Sequence, residues 1–162
     1  MTAACREACC SVAPRFTVAE LFERGFRRSR LAPLDVEGEA VSDAENNAVR
    51  FSLALDGTRL DEIRFRASSC TTLIAYSQAL AELFSGHDAA IAAHFTPREL
   101  AAALPGVPAL KQNRAVLAVA AFRAALHAAQ TPTRHPEVRG DEVAEPRRVT
   151  AKFFDPHRSK QL

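Results

Sequence analysis

No part of this 162-residue chain stays apolar for long. The longest such run, Ala115 to Phe122, is cut by Arg123, well short of the ~18 residues a membrane span needs. The first residues, MTAACREACCSVAPRF, lack the apolar stretch of a secretory signal, so a reducing cytoplasm is the expected compartment. A strong charge of one sign is missing too. The net charge of +2 and pI near 8.5 are too weak to imply nucleic acid as a partner. There is no internal repeat, no Ser-His-Asp order, no HExxH and no Gly-rich phosphate loop, which leaves hydrolysis or group transfer on a small substrate without support. The chain is not expected to be an enzyme. Cysteines are few, and three of the four, Cys5, Cys9 and Cys10, form a C-x₃-C-C arrangement that matches no standard zinc spacing. In a reducing compartment they read as thiols or ligands rather than as disulfides.

What is present suits one soluble domain with tails. Hydrophobic content is 48% and charged content 25%, and a domain of this size buries roughly 68–70% of its unfolded surface. Residues 1–15 read as a flexible cysteine-containing arm that could fold back toward a site. Thr17 and Glu20 form a capping box for a helix from Val18 to about Arg28, with Val18, Leu21, Phe22 and Phe26 as its apolar face. Arg24, Arg27, Arg28 and Arg30 make a basic cluster, read as a solvated face or a docking patch for a partner.

Residues 35–44 are polar and begin a short strand, and Asn46-Asn47 marks a turn. Val49, Phe51, Leu53 and Leu55 alternate with Arg50, Ser52 and Ala54, a strand with one buried face. Asp56-Gly57 then leads into a second strand, about Arg59 to Ala67, and this is a strong hairpin signal. Ser68-Ser69-Cys70-Thr71-Thr72 turns strand into helix. Ser69 is the expected N-cap, Cys70 the first turn, and Leu73, Ser77, Leu80 and Phe84 one stripe of the helix. The dipole at that end favours a thiolate.

A short helix over 88–95, a capped helix from Thr96-Pro97 to Leu104 and a long helix from Leu110 to Ala129 follow. In the long helix Val116, Val119, Ala120 and Leu126 are expected to face inward. Residues 131–162 read as a polar tail, expected to be disordered, with Phe153-Phe154 as a local anchor. The fold expected for 16–130 is α+β: a small antiparallel three-stranded sheet with helices packed on one face. None of His87, His94, His127, His135 and His157 is spaced to act with Cys70.

With that order of elements, residues 17 to 129 resemble the iron–sulfur cluster scaffold family of IscU and the NifU N-terminal domain. The likeness rests on the early helix Phe16-Thr17-Val18-Ala19-Glu20-Leu21-Phe22-Glu23 and the hairpin ending Leu60-Asp61-Glu62-Ile63-Arg64-Phe65-Arg66. It rests also on Ser69-Cys70-Thr71-Thr72-Leu73-Ile74-Ala75, where the family has a Gly-Cys-small-small helix start, and on Leu110-Lys111-Gln112-Asn113-Arg114-Ala115, where it has Val-Lys-Ile-His-Cys-Ser. The resemblance implies a cluster, or zinc in its place, held by three cysteines with an aspartate and a histidine nearby. It also implies assembly partners such as a cysteine desulfurase.

Carried over residue by residue, only Cys70 keeps its ligand type. The first cysteine falls at Glu45, the aspartate at Asn47, the histidine at Asn113 and the third cysteine at Arg114. The candidate binding residues are therefore Cys70, Glu45, Asn47, Asn113 and Arg114, with Cys70 and Glu45 as metal ligands. Three functions compete. The first is a scaffold binding iron, an iron–sulfur cluster or zinc through Cys70, Glu45 and the arm cysteines, as one chain or in a homo-oligomer. The second is a cluster-free interaction module docking through the basic helix. The third is a sulfur carrier that accepts persulfide sulfur on Cys70 beside Arg114.

Overall fold

The computed structural model describes residues 16–131. The arm with Cys5, Cys9 and Cys10, the tail with its Phe153-Phe154 anchor, His135 and His157 lie outside the described residues.

Helix α1 spans Val18–Arg28, opened by the expected capping box. Glu20 Oε2 accepts from the Thr17 N–H at 2.9 Å, and the Glu20 N–H donates back to Thr17 Oγ1 at 3.3 Å. Strands β1 (Val36–Glu37) and β2 (Val41–Ser42) follow, then β3 (Ala48–Asp56) and β4 (Arg59–Ala67). Strand β3 is central: β1 and β2 both pair antiparallel along one edge of it, and β4 pairs along the other. The sheet thus has four strands rather than three, because the polar stretch before the Asn-Asn turn supplies two.

Gly38 explains the break between those two strands. Its N–H still donates to Phe51 O at 3.0 Å, but a Cβ there would lie 2.5 Å from the backbone nitrogen of Ala125. A helix backbone passes too close for any side chain, and the edge strand parts around it. The hairpin forms as expected, with Asp56 paired to Arg59 and Gly57 at φ +61° in the turn. A bulge after Ala54 leaves Asp61 unpaired and shifts the register, so that Leu55 meets Leu60.

Helix α2 runs Thr71–Phe84, α3 Ala89–Ala93, α4 Pro97–Ala103 and α5 Asn113–Gln130, with a 3₁₀ turn at Ala109–Lys111. The expected long helix therefore starts three residues later, after that turn. Its phase differs as well. Val119 and Leu126 are buried as expected, but Val116 is 56% exposed and Ala120 faces solvent. The inward stripe is instead Arg114, Ala118, Ala121, Phe122 and Ala125, spaced as one face of a 3.6-residue helix.

Helices α2 and α5 cover one face of the sheet, and α1 lies over α2. Val49, Phe51, Leu53, Leu60, Ile63 and Phe65 point to them and are buried. Phe122 joins the layers, its ring 5.3 Å from Phe51 and 5.7 Å from Phe84. Because α2 is enclosed by α1, β4 and α5, the expected stripe of Leu73, Ser77, Leu80 and Phe84 is buried together with most of the rest of the helix.

One buried group stands out within α2. Tyr76 is fully buried, and its hydroxyl has no hydrogen-bond partner among the described residues. Burial pushes the phenol above its ordinary pKa, since the charged form would be desolvated. An unsatisfied buried hydroxyl costs roughly 1–3 kcal/mol. Tyr76→Phe should therefore leave stability unchanged or raise it by up to about 1 kcal/mol, read as the urea midpoint. A clear drop would mean that the hydroxyl has a partner, such as a buried water.

Candidate functional site

The site forms where β4 hands over to α2 and where the turn before β3 meets the start of α5. Ser68 is drawn back to β3: its N–H donates to Ala48 O at 2.8 Å and its Oγ accepts from the Ala48 N–H at 3.1 Å. The Cys70 N–H then bonds Ser68 O at 2.6 Å. This tight corner moves the helix start by one residue. Cys70, not Ser69, is the N-cap of α2, with no side-chain capping bond, and its carbonyl accepts the first helical bond from the Ile74 N–H at 2.9 Å. The thiol is free and half-buried.

Opposite it, Asp43 organises the turn that precedes β3. Its Oδ1 accepts from the N–H groups of Glu45 and Asn47, both at 2.9 Å, and Asn47 Nδ2 reaches both carboxylate oxygens at 3.1 Å. Asn46 sits at φ +61° within the loop, a conformation asparagine tolerates better than most residues. Asn47 is thus a brace for Asp43, while Glu45 is presented outward with its side chain 69% exposed.

Arg114 closes the space between these pieces. It is 6% exposed. Its Nη1 donates to Asp43 Oδ2 at 2.6 Å and its Nη2 pairs with Glu45 Oε2, with the Cys70 side chain near enough to favour its charged form. Its Nε–H has no hydrogen-bond partner among the described residues. Burial alone would lower the guanidinium's pKa; the bonds to Glu45 and Cys70 and the charges of Asp43 and Glu45 outweigh that and raise it. Burial likewise pushes the Asp43 carboxyl up, but its bonds from Asn47 and Glu45 and the charge of Arg114 together hold it below its ordinary value.

Three of the five residues expected at the site therefore meet: Cys70, Glu45 and Arg114. Asn47 serves it at one remove. Asn113 begins α5 and is exposed. Asp43 was not anticipated; the signal for it was an aspartate opening a turn that ends in Asn46-Asn47, where its carboxylate can take the free N–H groups.

Sequence comparison identifies the architecture. The profile of the NifU-like N terminal domain matches residues 18–134. The chain belongs to that family of iron–sulfur cluster assembly scaffolds. Over 109 residues it is 35% identical to the nitrogen fixation protein NifU of Cereibacter sphaeroides, a match covering 67% of this chain and 44% of that protein. Over 90 residues it is 40% identical to the bifunctional protein NifU/MnmA of Rubrobacter xylanophilus, covering 54% and 18%. The chain thus spans less than half the length of these relatives. Among solved structures it is similar to a NifU-like protein (N-terminal) from Brucella abortus, at 13% identity and TM-score 0.46, covering 70% of this chain and 97% of that one.

The NifU-like fold is retained, but this pocket offers one thiol and two carboxylates already bound to a guanidinium. Among the described residues no three His, Cys, Asp or Glu side chains group closely enough to hold a metal ion. That donor set does not fit a three-thiolate cradle. One cation stands against two carboxylates, so Arg114 is not an unmatched charge beside Cys70.

Arg114→Met should lower the melting temperature by about 5 °C, because Asp43 loses its cation while still partly buried. The Asp43 contribution is complete above its unfolded pKa, near 4, and is lost as pH falls through the lower folded value. The gap in melting temperature between wild type and Asp43→Asn should therefore narrow from pH 6 to pH 3 in a thermal-melt series. A constant gap would show that Asp43 acts through its shape alone.

Proposed function

We propose that this chain serves iron–sulfur cluster assembly as a member of the NifU-like family that receives sulfur on Cys70, the one cysteine among the described residues, from the persulfide of a cysteine desulfurase. The observation that carries the reading is that Cys70 stays half-buried and not sealed at the start of α2, while Arg114 is taken up by Asp43 and Glu45. In the transfer, the Cys70 sulfur attacks the terminal sulfur of the partner's persulfide. A new S–S bond forms on Cys70, the partner's S–S bond breaks, and the partner's cysteine leaves as a thiolate that takes up the proton Cys70 gave. No external oxidant or reductant is required. The unpartnered Nε–H of Arg114 is a donor suited to an anionic terminal sulfur. The chain is then an acceptor and carrier, not a catalyst, and the compartment that fits it is the cytoplasm. Among the described residues no helix is long and apolar enough to cross a membrane.

A second reading keeps the cluster as cargo, held by Cys70 with Glu45 and the arm cysteines Cys5, Cys9 and Cys10. The exposure of the Glu45 side chain supports it, since that carboxylate could turn from Arg114 to iron or zinc. A homo-oligomer could also supply ligands from two chains.

Incubation with a cysteine desulfurase and cysteine, followed by intact mass spectrometry, should add about 32 Da, one sulfur atom, on Cys70 and nothing on Cys70→Ser. Iron and sulfide analysis after anaerobic reconstitution runs alongside. Iron and sulfide bound by wild type and lost in Cys70→Ser would put the cluster reading in its place, and no sulfur on Cys70 would dispose of the first.

A further inference from the structure

A second built feature lies between α1 and α2, away from the thiol. Arg24, Arg27 and Arg28 of α1, Leu31 beyond it, and Gln78 and Glu82 of α2 line an open groove of about 400 Å³. Its one carboxylate is already saturated. Arg24 Nε and Nη2 donate to the two oxygens of Glu82 at 2.7 and 3.1 Å, and Gln78 Nε2 donates to Oε1 at 2.7 Å.

The other arginines are not matched in this way. Among the described residues Arg27, Arg28 and Arg30 have no carboxylate within ion-pair distance. Arg30 rests instead 4.3 Å above the ring of Phe26. Phe26 and Leu31 remain 39% and 45% exposed at the same end of α1. A helix C-terminus favours cations, which accounts for Arg27 and Arg28 in the last turn. It accounts neither for Arg30 nor for the apolar side chains left in water beside them.

We propose that this groove docks an acidic segment of a partner protein, its carboxylates on Arg27 and Arg28 and an apolar side chain against Leu31. Guanidinium groups pair with carboxylates in a bidentate fork, and a mixed charged and apolar rim is how such segments are recognised. Charge complementarity selects the occupant: the groove has arginines outside ion-pair distance of any described carboxylate, Arg28 acting only at longer range on Glu62, beside a saturated acid and the exposed Leu31. A net charge of +2 is too small to favour nucleic acid.

The test uses a fluorescein-labelled peptide of Glu-Leu repeats and the full chain, read by anisotropy. Saturable binding that weakens with added salt is expected. It should weaken at least about tenfold in R27E/R28E and about threefold or more in the uncharged R27Q/R28Q, circular dichroism confirming that both variants fold. A Glu→Gln version of the peptide should not bind. Cys70→Ser should bind like wild type, which separates this surface from the sulfur chemistry. Unchanged binding in R27E/R28E, no saturable binding, or binding to phosphatidylserine vesicles in place of the peptide would each overturn the proposal.

Discussion

The ring of Phe122 against Phe51 fixes how α5 is rotated about its own axis, and the remaining features of the site follow from that rotation. With Phe122 and Ala125 turned to the sheet, the residue two turns earlier on the same stripe must also face inward, and that residue is Arg114. An apolar side chain there would simply extend the core. A guanidinium carried to a buried position needs acceptors, and burying it without them would cost several kcal/mol. The turn before β3 provides them in Asp43 and Glu45. Packing therefore brings the charge in, and the turn makes its burial tolerable.

The same geometry shapes the chemistry open to Cys70. A metal site needs donors facing an empty centre, with lone pairs free to bind. Here the centre is filled by a cation that belongs to the chain, and the carboxylates point at it. Cys70 is left half-buried at the N-terminal end of a 14-residue helix. In the proposed function such a corner handles a single sulfur atom. The core rests on the Phe51, Phe122 and Phe84 layer and not on the site residues.

Much of this was legible in the sequence where local rules decide the outcome. Thr17 and Glu20 marked the start of α1 to the residue, and alternation with Asp56-Gly57 marked the hairpin. The failures came where tertiary contact overrode local preference. Ser69 had the chemistry of an N-cap, but Ser68 was held by Ala48 and the corner tightened by one residue. In α5 the eight residues Ala115 to Phe122 are all apolar, so the hydrophobic pattern there barely distinguishes one face from another; Val116 looked as good an inward position as Val119. Gly38 gave no local reason to expect a broken edge strand, since the cause is the backbone of Ala125, far away in sequence. The convergence of Glu45, Cys70 and Arg114 was readable only through the family likeness, and Asp43 was missed because that likeness directs attention to ligand positions and not to what holds them.

Helix α2 links the two surfaces of the molecule. Cys70 caps it, and Gln78 and Glu82 on its later turns floor the arginine groove. At about 1.5 Å of rise per residue they stand roughly 12 to 18 Å along the axis from the cap. The helix is enclosed on nearly every side, so that spacing is rigid. A protein seated in the groove would hold whatever it carries at a fixed offset from the thiol, within the reach of one domain-sized partner. Docking strength and transfer geometry could then be set by different residues, the first by Arg27 and Arg28 and the second by the Ser68-to-Cys70 corner. In the proposed transfer that separation would let a salt-sensitive grip be weak without loosening the alignment of the sulfur.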